Sequence, residues 1–305
     1  MHTSQAFAAR YEIVHATTYF YTEPVALCHN EVHLMPRTTA RQSCLAHSLE
    51  VAPTNGEIDE ATDYFGNRVS FFRVSEPHVE FSVTARGRVG LSSARAIEPK
   101  ATPPWEQVLE SLRAPGEPAA FEAVQFVYDS PLVVVDEELA AYAASSFPCG
   151  RPWLEAILDL TRRIHREFVY DPAATNVSTP LSTVMELRRG VCQDFAHLQI
   201  GCLRSLGLAA RYVSGYLLTS PPPGQPRLIG ADASHAWLSA WCPGLGWVDF
   251  DPTNDVMPNL EHITVAWGRD YDDVCPIKGV FVGGGEHSMR VSVDVQLIEN
   301  GKAGH

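Results

Sequence analysis

The sequence predicts an α+β fold, with an all-β region first and a region of helices and an antiparallel hairpin after it. Three observations carry this expectation. Residues 10–92 are dense in Val, Ile, Thr and aromatic residues and are broken by turn signals. Two later stretches place apolar residues at helical spacing: Leu154, Ile157, Leu158, Ile164 and Phe168, then Phe195, Leu198, Cys202 and Leu206. Beyond them, residues 234–251 read as two strands around Cys242-Pro243-Gly244-Leu245-Gly246.

Taken in order, the β region calls for strands at Tyr11–Phe20, Leu45–Val51, Arg68–Val74 and Val79–Arg88. Turns are expected at Pro53-Thr54-Asn55-Gly56 and Phe65-Gly66-Asn67. A β-sandwich or barrel-like domain over 1–95 is the simplest assembly. His15, His29, His33 and His47 have no metal-ligand spacing and read as scattered structural or surface residues. Ser92–Pro104 is polar and proline-bearing, which marks a boundary, and 96–150 reads as a connector with short helices at Trp105–Leu112 and Glu137–Ser145. Pro152 suits the first turn of the helix that ends near Tyr170-Asp171-Pro172. An irregular loop over Asp171–Thr179 and a short helix at Thr183–Arg188 lead to Gly190. After the next helix come a C-cap at Gly207, a strand at Ala210–Leu218 and a proline-rich surface loop at Ser220–Pro226. The alternation Met289, Val291, Val293, Val295, Leu297 predicts a closing strand that returns to the sheet of either region. The expected organisation is therefore 1–95, 96–150, 151–270 and a tail over 271–305.

Composition narrows the function. With 305 residues and 45% hydrophobic content there is ample material for a core. A net charge of −13 argues against nucleic acid and anionic membrane surfaces as partners. The sequence has no apolar run long enough for a transmembrane helix, and Met1-His2-Thr3-Ser4-Gln5 does not resemble a secretory leader. Seven cysteines without a CxxC pair suggest a reducing compartment, and a cytoplasmic location is expected.

The chemistry centres on Gly190-Val191-Cys192-Gln193-Asp194-Phe195-Ala196-His197. Cys192 falls at or just before a helix N-terminus, where backbone N–H groups and the dipole favour a thiolate and can stabilise an oxyanion. A base is available downstream. If the hairpin turn centres on Pro243, His235 lies opposite Asp251, on one face with Trp237, Ser239 and Trp241. A slip of two residues keeps that face and makes Asp249 the rival partner, whereas a slip of one separates the pair. A thiol, an imidazole and an orienting carboxylate make up the arrangement for acyl transfer through a thioester. Asp194 reads more readily as a first-turn carboxylate that satisfies N–H groups than as a catalytic group. Tyr170 could offer a hydroxyl to an oxyanion or simply end a helix, and Trp237 could wall the cleft or belong to the core.

These residues resemble a family. Gly-Val-Cys192-Gln-Asp-Phe-Ala-His, Ser-His235-Ala-Trp and Gly-Trp-Val-Asp-Phe-Asp251-Pro-Thr are similar to the three signature blocks of the transglutaminase-like superfamily. The resemblance spans roughly 150–270. It implies a papain-like core in which a helix bearing the cysteine packs on an antiparallel sheet. By the same resemblance Cys192 is the nucleophile, His235 the base and Asp251 the orienting carboxylate. Residues 11–90 resemble the β-rich N-terminal region of bacterial members, and Gly268–Val274 and the closing strand fit that subgroup. Calcium dependence is not implied, because no EF-hand-like acidic loop is present. The expected activity is amide or peptide hydrolysis of the cysteine-protease type on a peptide or protein substrate, with no cofactor or metal. The alternative is transamidation with an amine acceptor. Lesser alternatives are a zinc site formed by Cys192, Asp194, His197 and His235, and a non-catalytic binding module.

Overall fold

A single long strand organises the N-terminal half of the computed structural model, which describes residues 7–53, 57–219 and 234–298. This strand, β1 (Ala9–Val32), alternates buried and outward residues over its first ten positions, as a half-buried strand should. It continues well past Phe20, where composition suggested it would end. Pro24 lies at the irregularity between Phe20 and Val25, and a proline is tolerated there because the ladder is already interrupted. β2 (Gln42–Ala52), β3 (Asp59–Thr62), β4 (Arg68–Val74) and β5 (His78–Leu91) follow. Two late strands, Ile277–Gly283 and His287–Leu297, complete this seven-stranded antiparallel sheet and are β12 and β13 in chain order. The first half of β1 pairs with β5 and β13, and its second half pairs with β4 and β12. Where a sandwich or barrel-like domain was expected, the strands form one seven-stranded sheet. It closes on a small core that includes Val25, Val32, Phe72, Phe81 and Val83, with the Phe72 and Phe81 rings 5.9 Å apart. The turn expected at 53–56 and the loop expected at 220–226 lie mostly or wholly outside the described residues.

The helical part comprises α1 (Trp105–Arg113), α2 (Pro118–Val124), α3 (Glu137–Ala144), α4 (Trp153–Glu167), α5 (Leu181–Leu187) and α6 (Cys192–Ser205). Sequence reading missed α2, whose first helical residue is Pro118, a residue that also signals loops. Asp136 caps α3 by accepting from Leu139 N–H at 2.8 Å. Every residue of α6 from Asp194 to Arg204 is buried, so this helix is the central pillar rather than an amphipathic surface element. It ends as expected at Gly207, which has φ +80°, with Leu208 N–H bonded to Leu203 O at 3.0 Å.

Two short strands, β6 (Val169–Tyr170) and β7 (Arg189–Gly190), pair in parallel ahead of α6. After α6, β8 (Ala210–Leu217), β9 (Ser234–Cys242), β10 (Gly246–Phe250) and β11 (His262–Gly268) form an antiparallel sheet in the order β10-β9-β8-β11. Sequence reading did not anticipate β11. It also misplaced the hairpin centre. Trp247 lies opposite Trp241 and Asp249 opposite Ser239, so the turn centres on Gly244 and not Pro243. Gly244 and Gly246 both adopt φ +74°, a conformation costly for other residues, and this pair fixes the turn one position later. The offset is even, so the faces are as expected, but Asp251 lies beyond the end of β10 rather than directly across from His235.

Tyr11, Ile13, Val89, Leu91, Val293 and Val295 of the large sheet share one continuous core with Trp153, Leu160, Phe195 and Leu203. No helix among the described residues is long and apolar enough to cross a membrane.

Candidate active site

Cys192 is the first residue of α6, and local chemistry dictates the start of that helix. Val191 is extended, and Asp194, in the first turn, folds back so that its Oδ2 accepts from Val191 N–H at 2.8 Å and from Thr175 Oγ1 at 2.6 Å. A Cβ at position 190 would come within 2.5 Å of Asp194 Oδ2, so this return is possible only beside glycine. Burial raises the Asp194 carboxyl above its ordinary value, while the Thr175 and Val191 hydrogen bonds oppose the shift. Cys192 itself is half-buried. Asp171 N–H donates to Gly190 O at 2.9 Å and Tyr170 pairs with Gly190, which sets Tyr170 near Cys192. Tyr170 is 54% exposed, and its phenol is raised by partial burial and by the neighbouring Cys192.

His235 stands near the start of β9. Its Nε2–H donates to Asp251 Oδ2 at 2.8 Å, and the Cys192 side chain lies near enough to help raise the ring's pKa. With Nε2 committed to the carboxylate, Nδ1 is the nitrogen left for sulfur. Burial pulls the His235 pKa down, but the hydrogen bonds and charges of Asp251 and Cys192 outweigh it and hold the ring at about 10.

Asp251 is fully buried. Its Oδ1 accepts from the backbone N–H of Thr253 at 2.9 Å and of Asn254 at 3.2 Å. Its Oδ2 accepts from His235, from Asn254 Nδ2 at 2.7 Å and from His262 Nε2 at 3.0 Å. Burial would raise this carboxyl, yet His235, His262 and Asn254 together hold it well below the ordinary carboxylate range.

His262 was not anticipated, because β11 itself was not. The signal was available in the β-type run His262-Ile263-Thr264-Val265, but what gives His262 its meaning is its position beside β8, which local sequence does not reveal. Trp237 is completely buried, and its ring packs against both histidines, stacked 6.1 Å from His235 and edge-on 5.2 Å from His262. Gly215 makes room for it, since a Cβ there would meet Trp237 at 2.5 Å and Ile263 O at 2.1 Å. Trp241 belongs to the main core.

The other candidates point elsewhere. His197 is buried against Tyr212 with ring centroids 4.9 Å apart, and its Nε2 accepts from Tyr271 N–H at 3.1 Å. Burial, with the charge of Arg204, pulls its pKa to about 3. The zinc set of Cys192, Asp194, His197 and His235 is therefore not assembled. The grouping with metal-ligand potential among the described residues is instead His235, Asp251 and His262, whose ligand atoms lie within 4.8 Å of one another. Both imidazoles direct Nε2 to the carboxylate at hydrogen-bond distances, so each ring donates its own Nε2–H to Asp251 and no metal is needed to bring the three together. The 268–274 stretch is tied to α6, where Arg204 donates to Arg269 O at 2.6 Å and Tyr271 N–H to His197 Nε2, and to the segment before α3, where Asp270 Oδ2 accepts from Leu132 N–H at 2.8 Å.

The sequence comparisons agree with this geometry. Residues 11–90 match the family profile described as the bacterial transglutaminase-like N-terminal region, and residues 144–252 match that of the transglutaminase-like superfamily. The chain belongs to the transglutaminase-like superfamily. An uncharacterized protein of Mycobacterium tuberculosis is 40% identical over 298 residues, covering 95% of this chain and 93% of that one. A protein-glutamine gamma-glutamyltransferase of Pseudomonas aeruginosa is 34% identical over 102 residues, covering 32% of this transglutaminase-like chain and 15% of that one. Among solved structures, one described as "a Putative Cysteine Protease from Cytophaga hutchinsonii" shares the fold with a TM-score of 0.76. At 23% identity it covers 97% of this chain and 92% of that one. Membership of the transglutaminase-like superfamily supports cysteine-dependent catalysis in general terms.

Proposed function

We propose that Cys192, His235 and Asp251 form a catalytic triad that cleaves amide bonds through a thioester acyl-enzyme, with water as the usual acceptor. The observation that carries this reading is the His235 ring, held through Nε2 by the buried Asp251 carboxylate with Cys192 near enough to raise its pKa. In the first half-reaction the Cys192 thiolate attacks the amide carbonyl, and the charge developing on oxygen falls near the unsatisfied N–H groups at the start of α6. Protonated His235 gives its proton to the leaving amine as the C–N bond breaks. In the second, His235 takes a proton from water, hydroxide oxygen attacks the thioester, and the carboxylic acid leaves as sulfur departs. Asp251 fixes the tautomer and stabilises the imidazolium throughout. Trp237, packed on both imidazoles, limits water around the ion pair.

Exposed Tyr170 beside the site supports water as the acceptor, because a thioester formed there borders solvent. Transamidation uses the same acyl-enzyme, and the relative named as a protein-glutamine gamma-glutamyltransferase favours keeping it as a second reading. The substrate class is a peptide or protein amide. Seven free thiols fit a reducing compartment such as the cytoplasm. Labelling by a thiol-directed acyl probe tests the triad: it should vanish in Cys192→Ala and slow greatly in His235→Ala, and equal labelling of all three proteins would refute the mechanism. Turnover with a primary amine present tests the acceptor, since amine incorporation faster than hydrolysis would replace the first reading with the second.

A further inference from the structure

The face of the sheet β10-β9-β8-β11 that carries His235 and Trp237 extends to residues that the proposed chemistry does not use. Ala236, Leu238 and Ala240 join the core shared with α6, so His235, Trp237 and Ser239 alternate onto the other face, where Trp237 and Ser239 line a cavity of about 280 Å³ beside residues 39–42. Arg211 on β8, Ser239 on β9 and Asp249 on β10 form one row across this face. The Arg211 guanidinium stacks on Trp247 at 4.2 Å and on Trp267 at 3.7 Å. It is only 8% exposed, and among the described residues no carboxylate lies within ion-pair distance of it.

Three buried polar atoms on residues lining this cavity have no hydrogen-bond partner: Arg211 Nε, Trp237 Nε1 and His262 Nδ1. Guanidinium and indole N–H groups can only donate, so Arg211 and Trp237 each hold a donor without an acceptor, whereas Nδ1 of a neutral His262, whose Nε2–H donates to Asp251, is itself an acceptor. Burying the two donors unmatched costs folding free energy that a bound acceptor would return. The local charge favours an anion as well. Arg211 and Arg41 line the cavity against one acid, Asp249, whose Oδ1 is already engaged by Ser239. This positive site sits in a chain of net charge −13. Burial lowers the Arg211 pKa to about 9, and Asp249 partly opposes that, so the cation persists at neutral pH.

We propose that this cavity binds a carboxylate, held by the Arg211 guanidinium and the Trp237 indole N–H. The volume suits a group about the size of one amino-acid residue, which could be a small free acid or the C-terminal residue of a peptide. Arg is suited to the role because its planar fork matches a carboxylate and remains charged when buried. The cavity borders the surroundings of His235 and Asp251 through Trp237 and His262, does not include Cys192, and is tested by binding alone.

Three tryptophans line the cavity, so intrinsic fluorescence reports occupancy directly. The titration uses full-length Cys192→Ala protein, in which the outcome does not depend on whether that thiol is a nucleophile. The probes are N-acetylglycine, N-acetylglycinamide, trialanine and trialanine amide. Saturable binding of a free carboxylate, at least about tenfold tighter than of its amide, is expected. Trialanine binding more tightly than N-acetylglycine would identify a peptide terminus as the source, and the reverse order a free acid. Arg211→Lys keeps the charge and Trp237→Phe keeps the ring, and each should weaken binding by about tenfold or more. The proposal fails if no carboxylate gives a saturable signal, if amides bind as well as acids, or if both variants fold and bind like the parent. Because discrimination between acid and amide is measured in the unaltered cavity, a variant that fails to fold does not rescue it.

Discussion

Asp251 accepts hydrogen bonds from two imidazoles, one side-chain amide and two backbone N–H groups, an arrangement that only an ionised carboxylate can satisfy in full. Asp251→Asn would turn an N–H₂ toward some of those donors. The His235 ring would then lose the group that does most to keep it charged, while burial would still act. Its pKa should fall from about 10 to below the free-histidine value of 6.5, as read by NMR titration. The sign of the linked stability follows. A raised histidine pKa stabilises the fold fully below about 6.5, and that stabilisation is lost as pH rises through about 10. Thermal stability of the parent should therefore decline across this window, and Asp251→Asn should flatten the decline. His262→Phe removes a donor that competes with His235 for Asp251 Oδ2 and leaves the carboxylate in place, so the His235 pKa should not fall as it does in Asp251→Asn. At this scale the sequence was informative wherever chemistry is written in contiguous motifs, as at Cys192, His235 and Asp251. It was silent on His262, whose role depends on a strand pairing with residues more than forty positions away.

At the scale of elements, two glycines hold the site through close approach rather than through unusual dihedrals. Gly190 admits the Asp194 carboxylate that starts α6, and Gly215 admits the Trp237 ring. Gly190→Ala should destabilise the protein by about 1–3 kcal/mol in urea unfolding and slow alkylation of Cys192, because the helix start must shift. A Gly190→Ala protein as stable as the parent would contradict that account. Gly215→Ala should cost more, since the added carbon meets the backbone carbonyl of Ile263 as well as the Trp237 ring. Element boundaries were readable where periodicity was strong, as in α4 and β13, and lost where proline carries two meanings, as at Pro24 and Pro118. The hairpin shows how this works in detail. Alternation fixed which residues share a face, while the turn geometry at Gly244 and Gly246, which alternation does not encode, set the register.

At the scale of the whole molecule, β1 and β13 contribute to the same core as α4 and α6. The composition break at Ser92–Pro104 suggested separable regions, but packing crosses it, since β12 and β13 return from beyond β11 to pair with β1. Residues 96–305 expressed alone would leave both late strands without their partner and part of the main core exposed. That fragment should lack near-UV circular dichroism and dispersed amide resonances, and a folded fragment would show that the late strands do not need β1.

The central claim is that position within the fold, rather than exposure, makes Cys192 the reactive thiol. Cys149 is exposed and Cys192 only half-buried, so accessibility alone would have iodoacetamide modify Cys149 first. Site-resolved alkylation rates at pH 7 decide the matter. The account predicts that Cys192 reacts faster than Cys149 in the parent protein and more slowly than Cys149 in His235→Ala. Equal Cys192 rates in the two proteins, or Cys149 reacting first in both, would contradict it.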